Sequence, residues 1–331
     1  MDRYSRQMIL PEIGSKGQKK LLNSKILIVG CGALGCHSSN ILARAGVGSI
    51  TLIDRDFVEL NNLQRQILFT EKHLGEPKAW IAKQVLKKIN SEIEIEGTVE
   101  DLNSRNVLSF VKDKDLILDG TDNMQTRYLI NDACVELRKP WIYAGAVSTY
   151  AMTFNILPGK ACFKCLFPKV PKASSLETCE SVGILNTVPQ IISGFQVSQA
   201  LKYLLGKKIF SELLITDSWL NTFERIKVEK NKACKCCVKR EFEFLKGFRR
   251  ERVATLCGQN SVQINPLDAE IDLETLSKKL ERLGKVELRK FMLTFDIGEY
   301  QLNIFKTGRC IVRGTGDLKV AKSLYSKYVG N

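Results

Sequence analysis

Two pairs of cysteines carry the plainest chemical signal in this sequence. Cys162 and Cys165 frame Cys-Phe-Lys-Cys, and Cys234 and Cys237 frame Cys-Lys-Cys-Cys. Paired Cys-x-x-Cys segments suit a tetrahedral four-thiolate zinc site. The pairs are 68 residues apart, so such a site would staple distant segments. Nothing suggests an open coordination position, so a structural metal is expected. Cys236 lies inside the second pair, which leaves the ligand set open.

The second signal is Gly30-Cys-Gly-Ala-Leu-Gly35, with Gly30, Gly32 and Gly35 in a G-x-G-x-x-G spacing. Glycines there allow a tight turn and let backbone amides approach phosphate at a helix N-terminus. Asp54 follows 19 residues after Gly35, where a carboxylate can accept hydrogen bonds from ribose hydroxyls. The motif alone does not separate NAD from ATP. The residues after it do. Asn62 and Arg65 lie in Asn61-Asn-Leu-Gln-Arg-Gln66, Lys78 follows Gly75-Glu-Pro77, and Asp122 lies in Gly120-Thr-Asp-Asn123. Arg65 and Lys78 can neutralise phosphate charge, and Asp122 can hold Mg²⁺ beside phosphate oxygens. A hydride-transfer enzyme has little use for such a set.

The elements that must position these residues read as follows. Lys25–Gly30, Ser49–Ile53, Asp115–Asp119 and Trp141–Ala144 read as buried strands. Helical stretches follow at Leu34–Arg44, Pro77–Ile89 and Asn123–Leu137. This alternation predicts an α/β, Rossmann-like, doubly wound sheet. Ligands in such sheets bind beyond the carboxyl ends of the strands, where all the residues above fall. Val188–Leu205 has helical apolar spacing, and the Pro-, Lys- and Ser-rich segment before it reads as a mobile crossing loop. We expect an ATP-binding domain over residues 1–240 and a small α+β appendage over residues 241–331, with a helix at 272–283, paired strands near Gly298 and a last helix at 318–328.

Composition fits this. The chain has 331 residues, 44% hydrophobic and 26% charged, the balance of a soluble globular protein. No apolar run approaches membrane-spanning length, and Asp2, Arg3 and Arg6 near the start are followed by no signal-like apolar core. A cytoplasmic location is expected, and with it thiols or metal ligands rather than disulfides for the 11 cysteines. The formal charge of +14 is spread along the chain, densest at Lys230–Arg240 around the second cysteine pair. It fits a basic surface or an acidic protein partner, and a nucleic-acid partner is not expected. His37 and His73 are the only histidines and read as incidental.

Taken together, these segments resemble the E1-like activating superfamily, specifically the ThiF and MoeB adenylyltransferases of thiamine and molybdopterin synthesis. Arg3-Tyr-Ser-Arg-Gln7, Gly30–Gly35, Asn62-Leu-Gln-Arg-Gln66, Gly75-Glu-Pro-Lys78, Thr121-Asp-Asn123, both cysteine pairs and Thr178-Cys179 all match, over roughly residues 1–240. The resemblance implies ATP bound with Asp54 on the ribose, Asn62, Arg65 and Lys78 on the phosphates, and Asp122 on Mg²⁺. It implies a homodimer in which Arg6 reaches the partner's site. The substrate would be a small β-grasp, ubiquitin-like sulphur carrier ending in Gly-Gly, activated as an acyl-adenylate. A separate sulphur-donor protein would be a further partner. Such chemistry asks for positioning and charge stabilisation at phosphorus, and no side-chain base, because a carboxylate is already an ionised nucleophile. Cys179 would bond to the activated carrier, as a thioester or an acyl-disulfide. Glu177 and Glu180 beside it disfavour the thiolate unless Lys169 or Lys172 lies close. The competing readings are a true E1 for protein conjugation, a tRNA-modifying relative, an NAD-binding redox or sensor module, and a zinc-stabilised scaffold.

Overall fold

The computed structural model describes residues 2–171, 178–209, 211–247, 253–256, 260–264, 266 and 271–330. The chain forms two compact units, Met1–Phe248 and Arg249–Asn331.

The first unit begins with two helices, α1 (Ser5–Met8) and α2 (Gly14–Leu22). Then come β1 (Lys25–Val29), α3 (Ala33–Ala45), β2 (Ser49–Ile53), α4 (Lys78–Ile89), β3 (Glu94–Thr98), α5 (Val107–Lys112), β4 (Leu116–Asp119), α6 (Met124–Glu136) and β5 (Trp141–Val147). These strands pair in parallel in the order β3-β2-β1-β4-β5. Side chains alternate between the faces of the sheet. Ile26, Ile28, Ile50, Leu52, Leu116 and Leu118 bury against one group of helices, and Leu27, Val29, Ile53 and Ile117 against the other. A sheet buried on both faces must read as continuous apolar runs, as Ile26-Leu-Ile-Val29 does. Each fully buried Ile or Leu contributes about 1.5–3 kcal/mol relative to exposure.

The expected parallel sheet continues into an antiparallel half. β6 (Tyr150–Ile156), β7 (Glu212–Asp217) and β8 (Thr222–Lys227) extend it past β5, giving eight strands. Between β6 and β7 lie α7 (Phe163–Leu166), α8 (Cys179–Val182) and α9 (Thr187–Leu204). The expected crossing loop therefore carries a short helix, α8. Lys172 and Glu177 lie outside the described residues, as does Cys257. Val188 and Ile192 of α9 are buried as the apolar spacing predicts, while Phe195 is 37% exposed. The more telling residue of α9 is polar. Gln196 is fully buried and donates to the carbonyls of Asp119 and Ile142, both at 2.9 Å, while Ser38 Oγ donates to its Oε1 at 2.7 Å. Its amide ties the end of β4 to β5.

The second unit holds β9 (Val253–Leu256), β10 (Ser261–Ile264), α10 (Leu273–Leu280), β11 (Lys285–Leu288), β12 (Met292–Asp296), β13 (Gln301–Phe305), β14 (Cys310–Arg313) and α11 (Leu318–Tyr328). Its strands form an antiparallel sheet in the order β11-β12-β13-β14-β10-β9. Leu293, Phe295, Leu302, Ile304 and Val312 pack with Leu276, Leu280, Ala321 and Tyr325 of the two helices. Among the described residues, no helix is long and apolar enough to cross a membrane.

Candidate functional site

Strands β1, β2 and β4 end on one edge of the first sheet, facing the N-termini of α3, α4 and α6. At two of the three glycines of the turn nothing larger fits. Gly30 has φ of +92°, and a Cβ on it would come within 2.7 Å of the Gly120 carbonyl oxygen. A Cβ on Gly35 would lie 1.9 Å from the Gly30 carbonyl oxygen, so α3 could not start so close to β1. Gly32 is the N-cap of α3, with no side-chain cap and no acidic residue in the first turn. Free N–H groups and the positive end of the helix dipole therefore face this edge.

Asp54 continues from β2 and supports the turn directly. Its Oδ2 accepts the Cys31 N–H at 2.6 Å, and its Oδ1 accepts the Asp56 N–H at 2.7 Å. Each carboxylate oxygen keeps a second lone pair for a further donor. Burial pushes the Asp54 carboxyl above the ordinary aspartate value, Asp56 adds to this, and Lys78 opposes it.

Lys78 is the first residue of α4 and is only 8% exposed. Its N–H donates to the Asp56 carbonyl at 2.8 Å, and its Nζ lies 3.9 Å from Asp56 Oδ2. Burial would lower its pKa, but Asp56, Asp54 and Asp122 outweigh it and hold the ammonium above the usual lysine value. Asn62 and Arg65 lie on the loop between β2 and α4. Asn62 is buried and bonded to Asn61, and half-buried Arg65 donates from Nη1 to the Asn61 carbonyl at 2.9 Å. Asp122 is exposed, one residue before Asn123, whose side chain caps α6 by accepting the Thr126 N–H at 3.1 Å.

Beneath Asp122 is a buried ion pair. Arg127 Nε donates to Asp119 Oδ2 at 3.0 Å, and its Nη2 donates to the carbonyls of Thr121 and Ala144. Asp119 Oδ1 accepts from the Thr121 N–H and hydroxyl at 2.9 and 2.7 Å. The guanidinium stands over the Tyr143 ring at 5.0 Å. This cluster fixes the turn that presents Asp122. Asp56 and Arg127 were absent from the sequence reading. Asp56 could have been noticed as a second carboxylate two residues after Asp54. Arg127 could have been noticed as a cation on the first turns of the helix that Asp122 precedes.

Arg6 and Cys179 are placed differently. Arg6 is exposed on α1. That segment is anchored where Gln7 Nε2 donates to the Ala45 carbonyl at 2.9 Å and Asn90 Nδ2 donates to Tyr4 Oη at 2.8 Å. Ala45 and Asn90 end α3 and α4, whose other ends face the glycine turn and Lys78. The 13 residues of α3 span about 20 Å, so Arg6 is anchored far from this edge of its own chain. Cys179 is half-buried at the start of α8, and its Sγ lies 3.6 Å from the Ala146 carbonyl oxygen. Because β5 pairs with β4 in parallel, with Ile117 opposite Trp141, Ala146 lies at the same edge as Asp122. Nothing is described of the Glu180 side chain.

The cysteine pairs converge elsewhere. Cys162, Cys165, Cys234 and Cys237 bring their sulphurs within 4.8 Å of one another. Adjacent separations are 3.9 Å for Cys162–Cys165, 3.7 Å for Cys162–Cys234 and 3.5 Å for Cys165–Cys237. A tetrahedral zinc with Zn–S bonds of about 2.3 Å requires sulphurs about 3.8 Å apart, so these thiols fit that ion. Cys236 is outside the set. It is fully buried and its sulphur accepts from Asn131 Nδ2 at 3.1 Å. Part of the basic run is paired here: Lys235 lies 3.7 Å from Glu243, which also pairs with buried Lys164 at 2.6 Å, and Arg240 pairs with Glu136 at 2.6 Å. His37 is buried in α3, where desolvation lowers its pKa, and His73 caps a turn at Thr70.

Comparison with known proteins agrees with this geometry. The model of the ThiF family matches residues 4–238. The sulfur carrier protein ThiS adenylyltransferase of Bacillus subtilis (strain 168) is 37% identical over 335 residues, covering 99% of each chain. The sulfur carrier protein adenylyltransferase of Thermus thermophilus is also 37% identical, over 72% of this chain and 90% of its own. Among solved structures, E. coli MccB with ATP superposes with a TM-score of 0.63 at 27% identity, covering 72% of this chain and 74% of that one.

Proposed function

This chain belongs to the ThiF family of E1-like adenylyltransferases, and from that premise we propose that it activates a small ubiquitin-like sulphur carrier protein. The carrier's C-terminal glycine carboxylate attacks the α-phosphorus of ATP. The bond to the bridging oxygen breaks, pyrophosphate leaves, and the carrier becomes an acyl-adenylate. The observation that carries this reading is the edge where Lys78 sits among Asp54, Asp56 and Asp122, beside the uncapped start of α3. One ammonium among three carboxylates leaves a net charge near −2. A polyphosphate fits such a place together with a divalent cation, which one or two carboxylates suffice to hold.

In this reading the α3 amides and Arg65 receive phosphate oxygens, Asn62 and Lys78 orient them, and Asp54 uses its remaining lone pairs on the ribose. Asp122, exposed and fixed by the Arg127 cluster, holds Mg²⁺, which supplies charge neutralisation when bound. The placement of Arg6 supports a homodimer, since an arginine anchored at the opposite edge can serve only a second subunit's site. Cys179, at the Asp122 edge, takes the carrier from the adenylate as a thioester. A persulfide delivered by a sulphur-donor protein would lead instead to an acyl-disulfide. The cysteine cluster holds structural zinc. These parts fall in residues 1–240, with residues 241–331 as an accessory unit, and the cytoplasm is the assigned compartment.

Isotope exchange tests the activity. With carrier present, labelled pyrophosphate should enter ATP, and removing the carrier's last glycine should abolish the exchange. Exchange that ignores the carrier, or NAD binding in place of ATP, would overturn the assignment.

A further inference from the structure

Helix α8 has four residues, far below the length at which a helix persists unaided. Thr178, Ser181, Val182 and Gly183 are all exposed, so little apolar burial anchors it. Its position is set by hydrogen bonds from two places. One is the tip of the β5–β6 hairpin. Val147 pairs with Tyr150, which makes Ser148-Thr149 a two-residue turn. Ser148 adopts φ of 54°, a region that non-glycine residues seldom occupy. In that conformation its N–H donates to the Gly183 carbonyl at 3.0 Å, and its carbonyl accepts the Leu185 N–H at 2.9 Å. A positive φ is what the first residue of a two-residue hairpin turn requires, and here it aims both backbone groups of Ser148 at segment 183–185. The other place is the loop bearing Asn62 and Arg65. There Gln64 Nε2 donates to the Ile184 carbonyl at 3.3 Å. Segment 183–185 is thus gripped between the hairpin tip and the nucleotide loop, with Cys179 Sγ at the Ala146 carbonyl.

We propose that Gln64 is a positioning residue for the thiol step, holding the Cys179 segment in register with the loop that orients ATP. The inference rests on the reading of Cys179 as the thiol that receives the carrier. In that step the thiolate sulphur bonds to the acyl carbon, and the bond from that carbon to the adenylate oxygen breaks. AMP leaves with the electron pair, and the thiol proton passes to water. No oxidant is needed.

Gln64→Glu removes the donor at constant size and sets an oxygen against the Ile184 carbonyl. Gln64→Lys restores a donor on a stem of similar reach. The full chain, carrier and ATP are used throughout, with pyrophosphate exchange reporting adenylation and intact mass reporting the carrier–enzyme thioester. Gln64→Glu should keep exchange within about twofold of wild type while thioester formation slows roughly five- to tenfold, the scale of one lost hydrogen bond. Gln64→Lys should recover most of that rate. A wild-type thioester rate in Gln64→Glu, with none in Cys179→Ser, overturns the role of Gln64 and leaves that of Cys179 standing. Equal slowing of both steps also overturns it, since that marks a general defect of the loop. A thioester that survives in Cys179→Ser removes both.

Discussion

The nucleotide edge and the cysteine cluster are served by the same helix and built on opposite plans. The first turns of α6 hold the nucleotide edge, through the Asn123 cap and the Arg127–Asp119 pair. Its middle holds the cysteine region. Asn131 accepts the Phe163 N–H at 2.8 Å and donates to Cys236, and Asp132 accepts the Phe244 N–H at 2.9 Å. At the edge, charges of both signs gather, from exposed Asp122 to buried Lys78, with helix donors free. In the cluster, sulphurs face one another inside an apolar core with Phe163, Trp141 and Tyr128. An open arrangement can admit a substrate and let product leave. A closed one can only hold. The contrast separates residues whose loss should stop turnover from residues whose loss should unfold the unit.

The strongest test of that separation is Asp122→Ala. Loss of a cation anchor at the reacting phosphates removes several kcal/mol of charge stabilisation, so pyrophosphate exchange should fall roughly a hundredfold or more. Because Asp122 is exposed, unfolding free energy should stay within about 0.5 kcal/mol of wild type, and metal content should be unchanged. A stable variant with full exchange would break the assignment of this edge.

Cys234→Ser should behave in the reverse way. Purified wild-type protein should carry zinc, and the variant should lose it together with stability on the order of 5 kcal/mol, seen as a melting temperature lower by about 10 °C or more. Below its melting range the variant should still exchange pyrophosphate. Loss of exchange in a folded, zinc-free variant would show that α6 couples the two regions into one. Metal-free wild type of undiminished stability would remove zinc altogether.

The smallest difference to be measured is a recovery to at most half of wild type, and it concerns Arg6, proposed for the open plan yet anchored away from its own edge. Arg6→Ala and Asp122→Ala homodimers should both be inactive. Verified heterodimers of the two should recover up to half of wild-type exchange, because one site then has both residues. No recovery would take Arg6 out of the partner's site.

The sequence made the open plan easier to read than the closed one's surroundings. Gly30, Asp54, Lys78 and Asp122 follow strands or begin helices, so local pattern places them on one edge. The match to the ThiF family and the parallel-dominated sheet bear out that reading of the fold and activity. The antiparallel half was not legible. Strand β8, Thr-Phe-Glu-Arg-Ile-Lys, is exposed along its whole length and shows no buried face to betray it. Gln196 escaped because the carbonyls it binds are 77 and 54 residues away, and Arg127 because a buried polar side chain looks from the sequence like a surface one. Cys236 could be told from its neighbours only by the direction of its sulphur.

The distance along the chain between the cysteine pairs also sets an order of events on the ribosome. Cys162 is made 72 residues before its neighbour Cys234. At translation rates of about 5–20 residues per second, the parallel strands emerge and wait roughly 4–14 seconds for the second pair. For most of that interval β6 forms the temporary margin of the sheet, until β7 and then β8 appear shortly before Cys234. The nascent chain therefore passes through a stage with an unfinished sheet border and two unengaged thiols; β8 completes the border first, and Cys234 and Cys237 engage the thiols about ten residues later.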